Sequence, residues 1–128
     1  MPAVNSPAPP ADARPTVYFD GACPVCRREI ALYQRQPGAE SLCWVDAAAC
    51  APEALGAGLD RPAALDRLHV RGADGRLVSG AAAFLAMWAA LPRTAGLARL
   101  LDRPWLVQGL DAAYTGFLKL RRLWRPAR

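Results

Sequence analysis

Two cysteines with two residues between them, Cys23 and Cys26, close the run Tyr18-Phe19-Asp20-Gly21-Ala22-Cys23-Pro24-Val25-Cys26. If a helix opens at Pro24, both sulfurs fall in its first turn, where unpaired backbone N–H groups and the helix dipole favour an anion. A thiol held there ionises more readily, and the thiolate is the species that attacks disulfides. The pattern therefore points to thiol-disulfide exchange, with Cys23 as nucleophile. Cys26, three positions further on, is the resolving thiol that attacks a mixed disulfide on Cys23. Asp20 is a candidate proton acceptor for one thiol and, equally, an ordinary turn residue. Pro24 stiffens the turn and Val25 sets an apolar surface between the cysteines, so both tune the redox poise. Arg27 and Arg28 add supporting positive charge.

The same pair could instead be half of a zinc site completed by Cys43 and Cys50 or by His69. Structural four-cysteine sites present two close pairs, whereas Cys43 and Cys50 are separated by six residues. Cys43 interrupts an apolar strand and reads as a small buried hydrophobe. Cys50 falls in a loop as a surface cysteine without a task. His69, alone in a strand, reads as a hydrogen-bonded structural residue, and no metal is expected.

The elements that must position the pair follow from local pattern. Thr16 to Phe19 is β-branched and aromatic, and stops at Asp20-Gly21, so it reads as a strand and a turn. Pro24 suits the first turn of a helix running to about Arg35, with Val25, Ile30 and Tyr33 as core candidates and Pro37-Gly38 as the stop. Ser41 to Asp46 reads as a second strand, completing a parallel β-α-β unit. Ala47 to Leu59 is a loop with at most one helical turn. Arg61 to Asp66 is a short helix capped by Asp60. Leu68–Arg71 and Arg76–Val78 flank a hairpin-like connection at Gly72-Ala73-Asp74-Gly75. The helix Ala81–Leu91 carries a wide apolar arc of Phe84, Leu85, Met87, Trp88 and Leu91, and should be largely buried. A short helix over Leu97–Leu101 is closed off by Pro104. The last, from about Leu110 to Trp124, should pack through Leu110, Ala113, Tyr114, Phe117 and Trp124, leaving its basic side in solvent.

At 128 residues, 53% apolar and 21% charged, the chain fits one folded α/β domain, read here as residues 16–125. Residues 1–15, rich in proline and alanine and without a signal-like apolar run, read as a disordered leader, and residues 126–128 as a basic tail. The longest apolar run, Ala81 to Leu91, is too short for a membrane span. A cytoplasmic location follows as the default, and with it a reduced state for cysteines without chemistry to do. The net charge of +5 is spread along the chain, which argues against a nucleic-acid partner. Lys119, Arg121, Arg122, Arg125 and Arg128 do concentrate at the end. They read as a solvated tail, with peripheral contact to an anionic membrane as the less favoured alternative.

The chain resembles the DCC family (DUF393-type) of thiol-disulfide oxidoreductases, named for an aspartate and two cysteines that here match Asp20, Cys23 and Cys26. The resemblance extends to Val45-Asp46, Leu68-His69-Val70, Ser79-Gly80 and Ala83-Phe84, and covers roughly residues 16 to 125. It implies a thioredoxin-like fold, with a central mixed sheet of about four strands flanked by helices and extra C-terminal helices. It also implies dithiol-disulfide activity without a bound cofactor, on a disulfide-containing protein or a small thiol substrate, sustained by a reductant the sequence does not identify. Thioredoxins place a substrate-contacting cis-proline before the third strand, whereas residues 65 to 68 here are Leu, Asp, Arg and Leu. The Cys-Pro-x-Cys order also suits a glutathione-dependent, glutaredoxin-like reductase. A binding or structural module with zinc-bound or spectator cysteines is the non-enzymatic alternative.

Overall fold

The β-branched and aromatic run at the start forms strand β1, Thr16–Phe19, and its alternating side chains serve two faces of a sheet. The structure, a computed structural model, describes residues 14–121 and Leu123. Nearly all of the leader, Trp124 and the tail lie outside the described residues. Val17 packs with Ile30, Leu42, Val70, Met87 and Leu91 on one face. Tyr18 packs with Ala47, Leu55, Leu59, Ala64 and Leu65 on the other. Both faces are thus covered, as a sheet with a parallel pair requires.

Helix α1, Pro24–Gln34, leads through a 3-10 turn at Ala39–Ser41 to strand β2, Cys43–Asp46. β2 lies parallel to β1, with Thr16 opposite Cys43 and Phe19 opposite Asp46. After a 3-10 turn at Pro52–Leu55 comes α2, Arg61–Asp66, whose first turn is capped by Asp60 through the Ala63 N–H at 2.9 Å. β3, His69–Arg71, runs antiparallel to β1, and β4, Leu77–Ser79, antiparallel to β3. The order is β2-β1-β3-β4. Helices α3, Ala81–Ala90, α4, Ala95–Leu101, and α5, Pro104–Arg121, complete the chain. This is the four-stranded mixed sheet, flanked by helices and extended by C-terminal ones, that the sequence implied. Among the described residues no helix is long and apolar enough to cross a membrane.

The topology brings four segments to one end of the sheet: the residues after β1, the residues after β2, the residues before β3, and the start of α3. Helix α5 closes that end. Pro104 does not end a helix but opens this one, because its missing N–H falls among groups without an intrahelical partner. The packed face also differs from the expected one. Leu110 and Ala113 are exposed, Phe117 is half-buried, and the inward residues include Asp111, Tyr114 and Arg121. Polar side chains face inward here because the sheet end presents backbone groups that need partners. Asp111 accepts the Arg67 guanidinium at 2.6 Å and the Ala81 N–H at 3.1 Å, and Tyr114 accepts the Leu68 N–H at 2.8 Å. Gly80, with φ +66°, has no Cβ where one would collide with the Asp111 carboxylate. Of the core candidates in α1, Ile30 is buried and Tyr33 partly buried, whereas Val25 is 40% exposed. In α3, Leu85 and Met87 are buried and Phe84 and Trp88 half-buried, and Leu91, which caps the helix, is buried as well.

Replacing Tyr114 by Phe keeps the edge-on contact with Phe84, at 5.2 Å between ring centroids, and leaves the Leu68 N–H without its acceptor. A loss of about 1–3 kcal/mol should appear as a lower urea midpoint at unchanged slope. His69 is buried, its Nδ1–H donating to the Arg67 carbonyl at 2.8 Å, and burial lowers its pKa below the ordinary 6.5. The unfolded chain therefore binds a proton first as the pH falls. Stability should decline as the pH drops below about 6.5, and His69→Asn should flatten that part of a Tm-against-pH curve.

Candidate active site

The turn after β1 is held from both sides. Its Ala22 N–H donates to Asp20 Oδ1 at 3.0 Å, and the Gly21 N–H to Asp46 Oδ1, at the end of β2, at 2.9 Å. Asp46 sits so close that a Cβ on Gly21 would run into its carboxylate, so the turn needs glycine there. The Cys23 N–H closes on the Asp20 carbonyl at 3.2 Å. Cys23 then occupies the N-cap of α1 with extended backbone angles, and its Sγ accepts the Cys26 N–H at 3.4 Å. A sulfur stands where helices usually place a serine or aspartate oxygen.

That bond folds the Cys23 side chain back onto its own turn, and the residue is 0% exposed. The helix-start position of Cys23 suggests that it is the more exposed thiol; in the structure it is Cys26 that is half-buried. It lines a small cavity of about 30 Å³ together with Asp20, Glu29, Tyr114, Phe117 and Arg121. Arg121 corrects the solvated-tail reading: it is 5% exposed. Its Nη1 donates to Cys26 Sγ at 3.4 Å and lies 3.7 Å from Asp20 Oδ2. Its Nη2 donates to the carbonyls of Leu65 at 2.8 Å and Asp66 at 3.3 Å. Asp20 is buried at 4% exposure.

Burial, reinforced by the hydrogen bond to Cys23, pushes the Cys26 thiol up to about 12, against the lowering influence of Arg121. Burial works against the Arg121 charge, but Cys26, Cys23 and Asp20 together raise its pKa, so it stays a cation. Tyr114 is pushed up to about 12, chiefly by burial, and remains a neutral phenol. Burial also raises the Glu29 carboxyl.

The remaining sequence candidates divide. Pro24 is the first helical residue and is exposed, as is Val25, which borders the cavity. Arg27 donates to the Gly21 carbonyl at 3.4 Å, over the turn, while Arg28 is exposed. Cys43 pairs with Thr16 at the opposite end of the sheet, three residues and about 10 Å along the strand from Asp46. Cys50 is half-buried, packed against the Tyr18 cluster, with its carbonyl held by Arg61 at 2.8 Å. Among the described residues no group of three or more His, Cys, Asp or Glu side chains could hold a metal ion. Sequence reasoning missed Arg121, Asp46 and Glu29. Glu29 could have been found, lying one helical turn from Cys26; Arg121, 95 residues away, carried no local signal.

A thiol pushed up to about 12 keeps its proton at neutral pH. Iodoacetamide should therefore label Cys26 in the reduced native protein at a rate showing no titration below about pH 9, where a free cysteine has already ionised. Peptide mass spectrometry across a pH series gives the measurement.

A search of protein-family profiles matches residues 17–126 to the DCC1-like thiol-disulfide oxidoreductases. No curated protein and no solved structure matches significantly. The match begins one residue into β1 and takes in the dithiol turn, the other three strands and helices α1 to α5. The chain belongs to the DCC1-like thiol-disulfide oxidoreductase family.

Proposed function

We propose that the protein exchanges disulfides through Cys23 as nucleophile and Cys26 as resolving thiol. The observation that carries this reading is the asymmetry of the pair: Cys23 Sγ accepts a backbone N–H at the helix start, while Cys26 is held as a protonated thiol. The Cys23 thiolate attacks a substrate disulfide R–S–S–R′, forming Cys23–S–S–R and releasing R′–S⁻. Cys26 then attacks the Cys23 sulfur, closing the Cys23–Cys26 disulfide and releasing R–S⁻. The Cys26 proton passes to Asp20, buried beside the shared guanidinium, and from there to the departing thiolate to give R–SH. A dithiol reductant returns the enzyme disulfide to the starting pair. The substrate class is a disulfide carried by a protein or a small thiol.

Because Cys23 is covered in the structure, attack requires the turn at residues 20–23 to yield. That opening breaks the Gly21 N–H bond to Asp46, the Ala22 N–H bond to Asp20 and the Cys23 N–H bond to the Asp20 carbonyl, a local rearrangement that leaves the strands paired. One observation favours a second reading with the roles exchanged: Cys26 is the more accessible sulfur and the one that borders the cavity. Against it stands the proton that Cys26 retains, since a thiol is a far weaker nucleophile than a thiolate.

Serine variants separate the two orders. Cys23→Ser should lose at least a hundredfold in the initial reaction with a disulfide while keeping its unfolding free energy within about 1 kcal/mol, an ordinary range for a single substitution. Cys26→Ser should react once and hold the adduct, visible as a mass increase that dithiothreitol removes. A trapped adduct on Cys26 in the Cys23→Ser protein would establish the exchanged order instead.

A further inference from the structure

We infer that Arg121 is a positioning residue for the resolving step, holding Cys26 against the segment before β3 and setting a fixed cation where sulfur charge develops. The inference rests on the exchange mechanism proposed above and assigns a role to a residue which that mechanism does not require.

A buried guanidinium needs acceptors for its donors, because removing such a charge from water is costly unless it is paired. Nη2 meets that need with two backbone carbonyls, those of Leu65 and Asp66. Nη1 faces Cys26 Sγ at 3.4 Å and the Asp20 carboxylate at 3.7 Å. A protonated thiol is a weak acceptor, so the Nη1 contact contributes little in the resting state. As Cys26 loses its proton and attacks, charge builds on sulfur and the same contact becomes a charge-assisted hydrogen bond. An interaction that strengthens along the reaction accelerates the step in which it strengthens. The other charged or titratable groups around the cavity are Asp20, Glu29, Arg67 and Tyr114. Of these, Arg67 is paired to Asp111 at 2.6 Å, which leaves Arg121 as the cation directed at the thiol.

The fork geometry explains arginine rather than lysine, since one nitrogen holds the loop while the other meets the sulfur. The helix sets the reach. Asp111 and Tyr114 fasten α5 to Ala81, Arg67 and Leu68, and Arg121 lies ten residues beyond Asp111, about 15 Å along the axis. Resolution is in this way coupled directly to the docking of the last helix through the Cys26 contact, whereas Arg121 acts on Cys23 only through space.

The test uses dithiodipyridine, an uncharged disulfide whose released thione absorbs light, on the full chain carrying Cys43→Ser and Cys50→Ser. One equivalent is released when Cys23 attacks and a second when Cys26 resolves, so the two phases report the two steps. Arg121→Gln should slow the second phase about tenfold or more, equivalent to one pKa unit or more of lost thiolate stabilisation, and change the first less than threefold. Arg121→Lys, which keeps the charge but cannot bridge loop and sulfur, should fall between. In a Cys23→Ser background, Arg121→Gln should shift the alkylation profile of Cys26 to higher pH. Should Arg121→Gln not fold, Arg121→Lys decides by the same ratio of phases. A second phase as fast as in the parent, or equal slowing of both phases together with a lowered urea midpoint, would overturn the assignment and leave Arg121 a structural residue. If Cys23→Ser still shows a normal first phase, the underlying mechanism has failed, whichever way the Arg121 variants behave.

Discussion

The Asp46 carboxylate at the end of β2 is the constraint on which the dithiol depends. By accepting the Gly21 N–H and the Ala48 N–H, both at 2.9 Å, it ties the turn after β1 to the turn after β2. The parallel pairing of Phe19 with Asp46 places that carboxylate at the right level. Register and chemistry are therefore linked: a slip of one residue would turn Asp46 to the other face of the sheet and release the segment that delivers Cys23. The glycine completes the arrangement, since any larger residue would displace the acceptor.

The opposite wall of the site is built by α5, and it is held on by specific polar contacts as well as by apolar packing. Asp111, Tyr114 and Arg121 each meet backbone groups at one end of the sheet, and the Tyr114 ring packs edge-on to Phe84 with the Arg67 guanidinium 5.5 Å from its centroid. Backbone donors and acceptors lie at fixed positions, so such contacts select one rotation and one depth for the helix, where a greasy face would tolerate several. The selection matters because it delivers a guanidinium to the sulfur at its far end.

Burial and charge act on the two cysteines in different ways. Cys23 is enclosed, yet its sulfur receives an N–H at the start of a helix. Cys26 borders a cavity, yet burial and the neighbouring sulfur keep its proton on. Accessibility and the N–H donor at the helix start are thus divided between the pair. A buried cation and a buried carboxylate stand beside the thiols, with the guanidinium 3.4 Å from Cys26 Sγ and 3.7 Å from the Asp20 carboxylate.

Local sequence determined the first half of this picture. The run from Thr16 to Phe19, the Asp20-Gly21 turn, Pro24 at the first helical position and Asp60 as a cap each act within a few residues, so strand, turn and helix were legible with the dithiol at their junction. One boundary moved because local backbone bonds competed with the ladder: the Ser41 and Leu42 N–H groups close on the Gly38 and Ala39 carbonyls, so β2 loses both residues to a 3-10 turn and its capping position. The face of α5 was misread because apolar periodicity finds a greasy stripe and is blind to backbone groups waiting on another element. Exposure of the cysteines and the place of Arg121 were decided only by the tertiary structure. An arginine among other basic residues near the end of a chain looks solvated, and the carboxylate, thiol and two carbonyls that draw it inward come from segments brought together only when the sheet forms and the last helix closes its end.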